Sequence, residues 1–318
     1  MGALLNAISG NSVELIICLV ALNDGRIEEI QAIVLGSILM NLLLVTGSSF
    51  FLGGIFNMCD QSGDGVEQNF ASAMVQTARS FMIMSVAFLA FPASLDMMAS
   101  KANLDVQYHA ILTLSRGTAI IVLLLYFLYL FFQLRTHPDL FSTQISYEED
   151  VDDYAVINVY TAAFLAVAAA FLTAVCANYF MSYTVYDILP PCSFGPSFLL
   201  IFPIPVISNA AELIRAIYLA IQNKMDLAMG IATGSCIQIS LFTSPFLVII
   251  AWAVFDQPFT LHFELFETMT LAFSVLVAYT AQEGRSNYLQ GAMMIGFYSI
   301  IVLAYLVLPG DALDDCNT

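Results

Sequence analysis

Gly10-Asn11-Ser12-Val13-Glu14-Leu15-Ile16 and Ser208-Asn209-Ala210-Ala211-Glu212-Leu213-Ile214 carry one pattern twice: an Asn, a Glu three residues on, and apolar residues after it. The step from Glu14 to Glu212 is 198 residues, and the same step carries Gly36-Ser37 onto Gly234-Ser235 and Leu43 onto Leu241. Two separate matches at one offset, both inside apolar runs, mark an internal repeat. Around these stretches, apolar segments span approximately 4–22, 30–51, 73–95, 117–134, 156–180, 198–221, 225–255, 263–281 and 288–308. Most are long enough to cross a hydrocarbon core of about 30 Å as helices. The matched stretches fall in the first and sixth segments, so five spans separate equivalent points and the second copy runs the other way across the membrane. Inverted repeats of this kind place a substrate site where the two copies meet.

Composition agrees. Of the 318 residues, 60% are hydrophobic and 10% are charged, and the mean hydropathy is +0.85. Soluble domains carry about 25% charged residues, so a soluble enzyme is excluded and a non-enzymatic, all-α membrane protein of about nine transmembrane helices is expected. The formal net charge of −17 excludes a nucleic-acid binder, which needs a basic footprint. The lipid bilayer is the expected partner. Cys18, Cys59, Cys176, Cys192, Cys236 and Cys316 have no paired or metal-ligand spacing, so neither a disulfide framework nor a zinc site is expected.

Four regions follow: a first repeat at 1–136, an acidic linker at 137–154, a second repeat at 155–310 and a tail at 311–318. In the linker, Tyr147-Glu148-Glu149-Asp150-Val151-Asp152-Asp153 holds five carboxylates. It reads as a solvated connector or as a surface that gathers cations near a pathway mouth. Arg135, Lys224 and Arg285 fall on the linker side and put it in the cytosol, whereas Arg26 and Lys101 point the other way.

The chemistry lies in the acids within the apolar runs. An ionisable residue at membrane depth costs about 2.5–3.5 kcal/mol even on an insertion scale, so Glu14 and Glu212, each three residues after an Asn, are candidate cation and proton sites. Asn11 with Glu14, and Asn209 with Glu212, are expected on nearly one helix face, each pair presenting an amide oxygen beside a carboxylate. Ser37, Ser235 and Gln238 add oxygens. The set, with water, reaches the 6–8 oxygens that Ca²⁺ takes, and no His or Cys cluster favours a softer metal. Pro203 and Pro205 disrupt the turn before the second motif; the freed carbonyls either serve as ligands or merely mark a kink. Gly230 and Gly234 have small-xxx-small spacing for close helix packing.

Two ionised Glu plus Ca²⁺ sum to zero charge, and two protonated Glu also sum to zero, whereas an empty site carries −2 where hydration is poor. Reorientation loaded with either cation, and not empty, is antiport. Desolvation and mutual repulsion both disfavour the charged carboxylates, so proton exchange near neutral pH is expected.

At these motifs the chain resembles the Ca²⁺/H⁺ antiporter (cation/proton exchanger) family of the fungal vacuolar type. The resemblance rests on Gly10–Ile16, Gln31–Asn41, Asn209–Leu213, Lys224–Gln238 and the triplet Phe266-Glu267-Thr268, in family order along nearly the whole chain. It implies the cation/Ca²⁺ exchanger superfamily fold, one extra helix followed by two inverted repeats of five, and uptake of Ca²⁺, with Mn²⁺ as a second candidate, into an acidic vacuole across the vacuolar membrane. It also implies Ca²⁺ and H⁺ as transported ions with no prosthetic group. Asn11, Glu14, Ser37, Asn209, Glu212, Ser235 and Gln238 match its site positions, with Glu14 and Glu212 coupling protons.

The chain departs from the family pattern at Ser208, in place of Gly; at Leu213, in place of His; at Met40, where Ser is common; and at Arg215, whose first-repeat counterpart is Ile17. Arg215 either snorkels to the cytosolic surface or pairs with Glu212 and competes with Ca²⁺. The counterpart of the fifth segment would begin upstream of Met1, so a four-plus-five arrangement is expected in place of five-plus-five. A sodium/calcium-type exchanger, and a truncated, transport-dead homologue with a binding or regulatory role, are the alternatives.

Overall fold

The computed structural model describes residues 10–59, 67–70, 73–99, 104–138, 158–180, 196–261, 263–281 and 284–307. Residues 139–154 of the acidic linker, Cys192, Cys316 and the C-terminal tail lie outside them. Apolar runs become helices because each backbone group must find its partner within its own segment once water is removed. In order these are α1 (Ser12–Asn23), α2 (Ile27–Phe56), α3 (Ala73–Ala99), α4 (Leu104–Phe131), α5 (Val159–Tyr179), α6 (Pro196–Ile201), α7 (Pro203–Ser208), α8 (Ala210–Ile221), α9 (Met225–Phe255), α10 (Leu265–Ala281) and α11 (Tyr288–Val307).

Ile27–Phe56, His109–Thr136, Tyr160–Tyr179, Met225–Phe255 and Tyr288–Val307 are long and apolar enough to cross a membrane. The bent pair Phe198–Ser208 plus Ala210–Ile221 makes a further span, broken by 56°. Ser12–Asn23, Val75–Leu89 and Phe266–Ala281 are shorter apolar helices, so the described residues fall short of nine full-length spans.

The 198-residue step reappears in three dimensions. It carries Ser12 onto Ala210 and Asn23 onto Ile221, so α1 and α8 coincide end to end, and it carries Ile27 onto Met225 at the starts of α2 and α9. Both long helices widen into a π turn at matching places, Met40–Val45 and Ile239–Thr243. Such turns are rare and cluster at functional sites. In the first, the Thr46 hydroxyl donates to the Asn41 carbonyl five residues back (3.0 Å), which satisfies a carbonyl in the widened turn.

The two ends of the bundle are tied differently. At one, the two-residue strands β1 (Gln68–Asn69) and β2 (Arg285–Ser286) pair antiparallel. There the Gln68 amide donates to the Ala220 carbonyl (3.0 Å) and to Asn223 Oδ1 (2.9 Å), which places Lys224 and Arg285 at one end. At the other, the Gln31 amide donates to the Thr260 carbonyl (2.8 Å), and Arg26 reaches Asp24 (3.8 Å) and Glu29 (3.6 Å). Between them, α2 packs on α11 with almost no side-chain spacer: a Cβ on Gly47 would lie 2.9 Å from the Met294 Cβ and 3.2 Å from the Gly291 carbonyl oxygen, the close approach that small residues permit in membranes.

Candidate cation site

The site forms where α1, α2, α7, α8 and α9 meet. Proline fixes its shape. Pro205 has no N–H to offer the carbonyl four residues before it, and that carbonyl, on Ile201, abuts Gly36 of α2. The chain turns at Phe202 between α6 and α7 and breaks again at Asn209 before α8. α8 therefore begins inside the bundle, as α1 also does, with Glu14 and Glu212 in their first turns, where the helix dipole favours negative charge.

Glu14 is 3% exposed. Its Oε1 accepts from the Ser37 hydroxyl, from the Asn209 side-chain amide and, at 3.4 Å, from the Ser208 hydroxyl. Glu212 is half-buried, and its Oε2 accepts from the Ser235 hydroxyl at 2.7 Å. The Ser–Glu pairs thus repeat at the 198-residue step, and the Asn–Glu pair does not. The expectation that each Asn pairs with the Glu three residues on is corrected at Asn209. Asn11 (φ −106°, ψ 34°) and Asn209 (φ −97°, ψ 11°) precede the first helical turn, so helical spacing does not govern their side chains. Asn209 instead crosses from the second repeat to the glutamate of the first.

Asn11 is the opposite case. It is 3% exposed, and neither its Nδ2 nor its Oδ1 has a hydrogen-bond partner; nor does Glu14 Oε2. A buried polar atom without a partner costs about 1–3 kcal/mol; here the two oxygens can ligate a cation, and the Nδ2 group can donate to its water. Asn11→Leu is therefore expected to raise the melting temperature in Ca²⁺-free buffer and to diminish the further rise on adding Ca²⁺; thermal unfolding with and without Ca²⁺ measures both.

Ser235 and Gln238 are buried on α9, the latter beside the π turn. Sequence reasoning missed two residues. Ser208, read only as a departure, adds a hydroxyl to the Glu14 cage. Asn41, one turn beyond Ser37, donates to the Ser37 carbonyl (3.1 Å) and leaves Oδ1 fully buried without a partner; its position four residues after Ser37 was the available signal. Met40 is buried in the core. Arg215 is exposed and makes none of the ion pairs of the described residues, so its direct pairing with Glu212 is not seen. Glu267 sits in the first turn of α10, where Oε2 accepts from the Glu264 N–H (3.1 Å). Among the described residues no three His, Cys, Asp or Glu side chains cluster as a metal site, which leaves two carboxylates among neutral oxygens.

Residues 1–135 and 160–307 match the family described as sodium/calcium exchanger protein. The chain belongs to that family. It is 37% identical over 311 residues to the vacuolar calcium ion transporter of Schizosaccharomyces pombe, across 97% of this chain and 72% of the relative. It is 38% identical over 317 residues to vacuolar cation/proton exchanger 1b of Oryza sativa subsp. japonica, across 97% and 68%. Among solved structures, native YfkE superposes with a TM-score of 0.77 at 28% identity, across 96% of this chain and 84% of that one; a second structure, of the Ca²⁺/H⁺ antiporter YfkE with selenium substituted, superposes with a TM-score of 0.74 at 29% identity. The H⁺/Ca²⁺ exchanger CAX shares the fold, with a TM-score of 0.63 at 12% identity. This family member is thus an integral membrane protein built from helices.

Proposed function

We propose that this exchanger-family protein moves Ca²⁺ against H⁺ by alternating access, with Glu14 and Glu212 taking either the cation or protons. The observation that carries the reading is the pair of unpaired buried oxygens at the start of α1, Asn11 Oδ1 and Glu14 Oε2, together with a second carboxylate, Glu212, held by Ser235 at the equivalent position of the other repeat. The names of the relatives support both ions and place the activity in the vacuolar membrane, with the acidic lumen supplying protons.

Each side chain has a stated part. Glu14 and Glu212 supply the two negative charges that balance a dication. Ser37 and Ser235 hold them at equivalent positions, and either hydroxyl has lone pairs left for the cation. Asn209 donates to Glu14 in the structure; to act as a ligand it presents its carbonyl oxygen instead. Asn11 offers its oxygen unpaired. Gln238 lies within reach of the same helix turn as Ser235. As pH falls, protons bind the carboxylates and compete with Ca²⁺, so the acidic side releases the cation. Mn²⁺, a divalent ion that also accepts oxygen ligands, fits the same donors.

Reconstituted vesicles separate the two coupling ions. An inside-acid pH gradient is expected to drive Ca²⁺ uptake, and an inside-high Na⁺ gradient at equal pH is expected to drive none. Uptake driven by Na⁺ alone would favour sodium coupling, and uptake driven by neither would favour a binding role.

A further inference from the structure

Tyr298 of α11 is 6% exposed, and its hydroxyl has no hydrogen-bond partner. It belongs to the stripe Gly291, Met294, Tyr298 and Ile301, the buried side of α11, whose members recur three, four and three residues apart. Gly291 and Met294 press on Gly47 of α2. One turn further along, the Tyr298 ring meets the Phe202 ring edge-on, with centroids 5.8 Å apart and planes at 80°. Tyr305, two turns beyond Tyr298, meets the same ring at 5.3 Å and 71°. Phe202 is buried and marks the break between α6 and α7. The two tyrosine rings therefore hold that break against α11.

A buried hydroxyl is normally paired, because losing water without gaining an acceptor is unfavourable. Acceptors lie at the same break. Pro203 and Pro205 have no N–H, so the carbonyls of Leu199 and Ile201, four residues before them, lack their helical donors. Ile201 immediately precedes Phe202, and its carbonyl rests against Gly36 of α2. A donor on α11 and an acceptor on α6 thus meet at one aromatic contact without being bonded to each other. The breaks at Phe202 and Asn209 leave α6 and α7 as two short rods, the kind of element that shifts as a unit between two packed positions.

Resting on the exchange reading above, we propose that Tyr298 is a positioning residue of the transport cycle. Its hydroxyl, unbonded in this structure, donates to the Ile201 carbonyl in the oppositely facing state. The break then rests on Gly36 in one state and is held by Tyr298 in the other. The hydroxyl touches no transported ion; it sets how readily the loaded protein changes its facing.

Tyr298→Phe keeps the ring against Phe202 and removes the hydroxyl alone. With no bond to lose in this state, its melting temperature is expected to be equal or higher. Its maximal rate of Ca²⁺ uptake in vesicles is expected to fall several-fold at an unchanged KM for Ca²⁺. An unchanged maximal rate, or a lowered melting temperature, would overturn the proposal. Pro205→Ala returns an N–H to the Ile201 carbonyl and so occupies that acceptor. Adding Tyr298→Phe to Pro205→Ala is expected to slow uptake no further, and a full second loss would show that Ile201 is not the acceptor. Infrared difference spectra of the full chain, Ca²⁺-loaded against protonated, read the bond without any flux. A tyrosine C–O stretching band is expected to shift between the two forms, and to be still in Tyr298→Phe; no shift in the unaltered chain would overturn the proposal. Absence of uptake by the unaltered chain would count against the exchange reading, and the infrared shift then decides whether Tyr298 changes partner.

Discussion

Glu14→Gln is expected to abolish proton-driven Ca²⁺ uptake while the protein still folds. Glutamine keeps a carbonyl oxygen where Glu14 Oε1 accepts from Ser37, Asn209 and Ser208, so the cage survives. The charge does not survive. Loaded with Ca²⁺, the variant site carries +1 where the native one is neutral, in surroundings that hydrate charge poorly. Removing one partner of a buried charge pair costs about 2–5 kcal/mol, which is roughly thirtyfold to several-thousandfold in affinity. Glu212→Gln loses the same charge and is expected to be equally silent in transport. The two differ in packing, because Glu212 is half-buried with one hydroxyl donor and Glu14 is sealed among three side chains. Truncation to Ala should therefore lower the melting temperature more at Glu14, where it strands the Asn209 amide, than at Glu212. Flux in vesicles together with thermal unfolding checks both parts; normal uptake by either Gln variant would remove that carboxylate from the cycle.

The second large effect concerns two glycines at one repeat position. A Cβ on Gly36 would stand 2.7 Å from the carbonyl carbon of Ile201 and 2.8 Å from its Cα. These are backbone atoms, and they belong to the broken helix that shapes the site, so they yield only if α6 shifts. Overpacking of this kind costs about 1–3 kcal/mol. At Gly234, in the same place on α9, a Cβ would meet nothing within 4 Å among the described residues, and alanine is better than glycine in a helix by about 1 kcal/mol. Gly36→Ala is expected to lower both the melting temperature and uptake several-fold, and Gly234→Ala to leave stability equal or higher. Comparable losses in the two would mean that the repeats pack alike at this point.

Much of this site was legible in the sequence because it is written twice. The 198-residue step picked out Glu14 with Glu212 and Ser37 with Ser235, and the structure joins each Ser to its own Glu. What failed was the extension of helical spacing by three residues to Asn209. It lies just outside its helix, and a side chain there is directed by local backbone turns and by whatever crosses from the other repeat. Two positions also break the repeat in sequence and were undervalued for that reason: Ser208 stands opposite Gly10 and reaches Glu14, and Arg215 stands opposite Ile17 and faces outward. The π turns left no mark in the hydropathy pattern, since one extra residue within a uniformly apolar helix changes neither its length nor its polarity enough to notice. Prolines did signal the broken span, yet they could not tell that the carbonyl freed by Pro205 would rest on Gly36. That contact needs a glycine supplied from another helix.

The exchange of two kinds of cation at one site has a direct test. Vesicles holding the full chain, with a luminal pH dye and no initial pH or Na⁺ gradient, are given external Ca²⁺ while both luminal Ca²⁺ and luminal pH are recorded. Ca²⁺ entering down its gradient should drive protons out against theirs, so the lumen becomes alkaline in step with Ca²⁺ entry, and the pH change should be absent in Glu14→Gln. Ca²⁺ entry with no change in luminal pH, with the membrane potential clamped and proton leak excluded, would contradict the account.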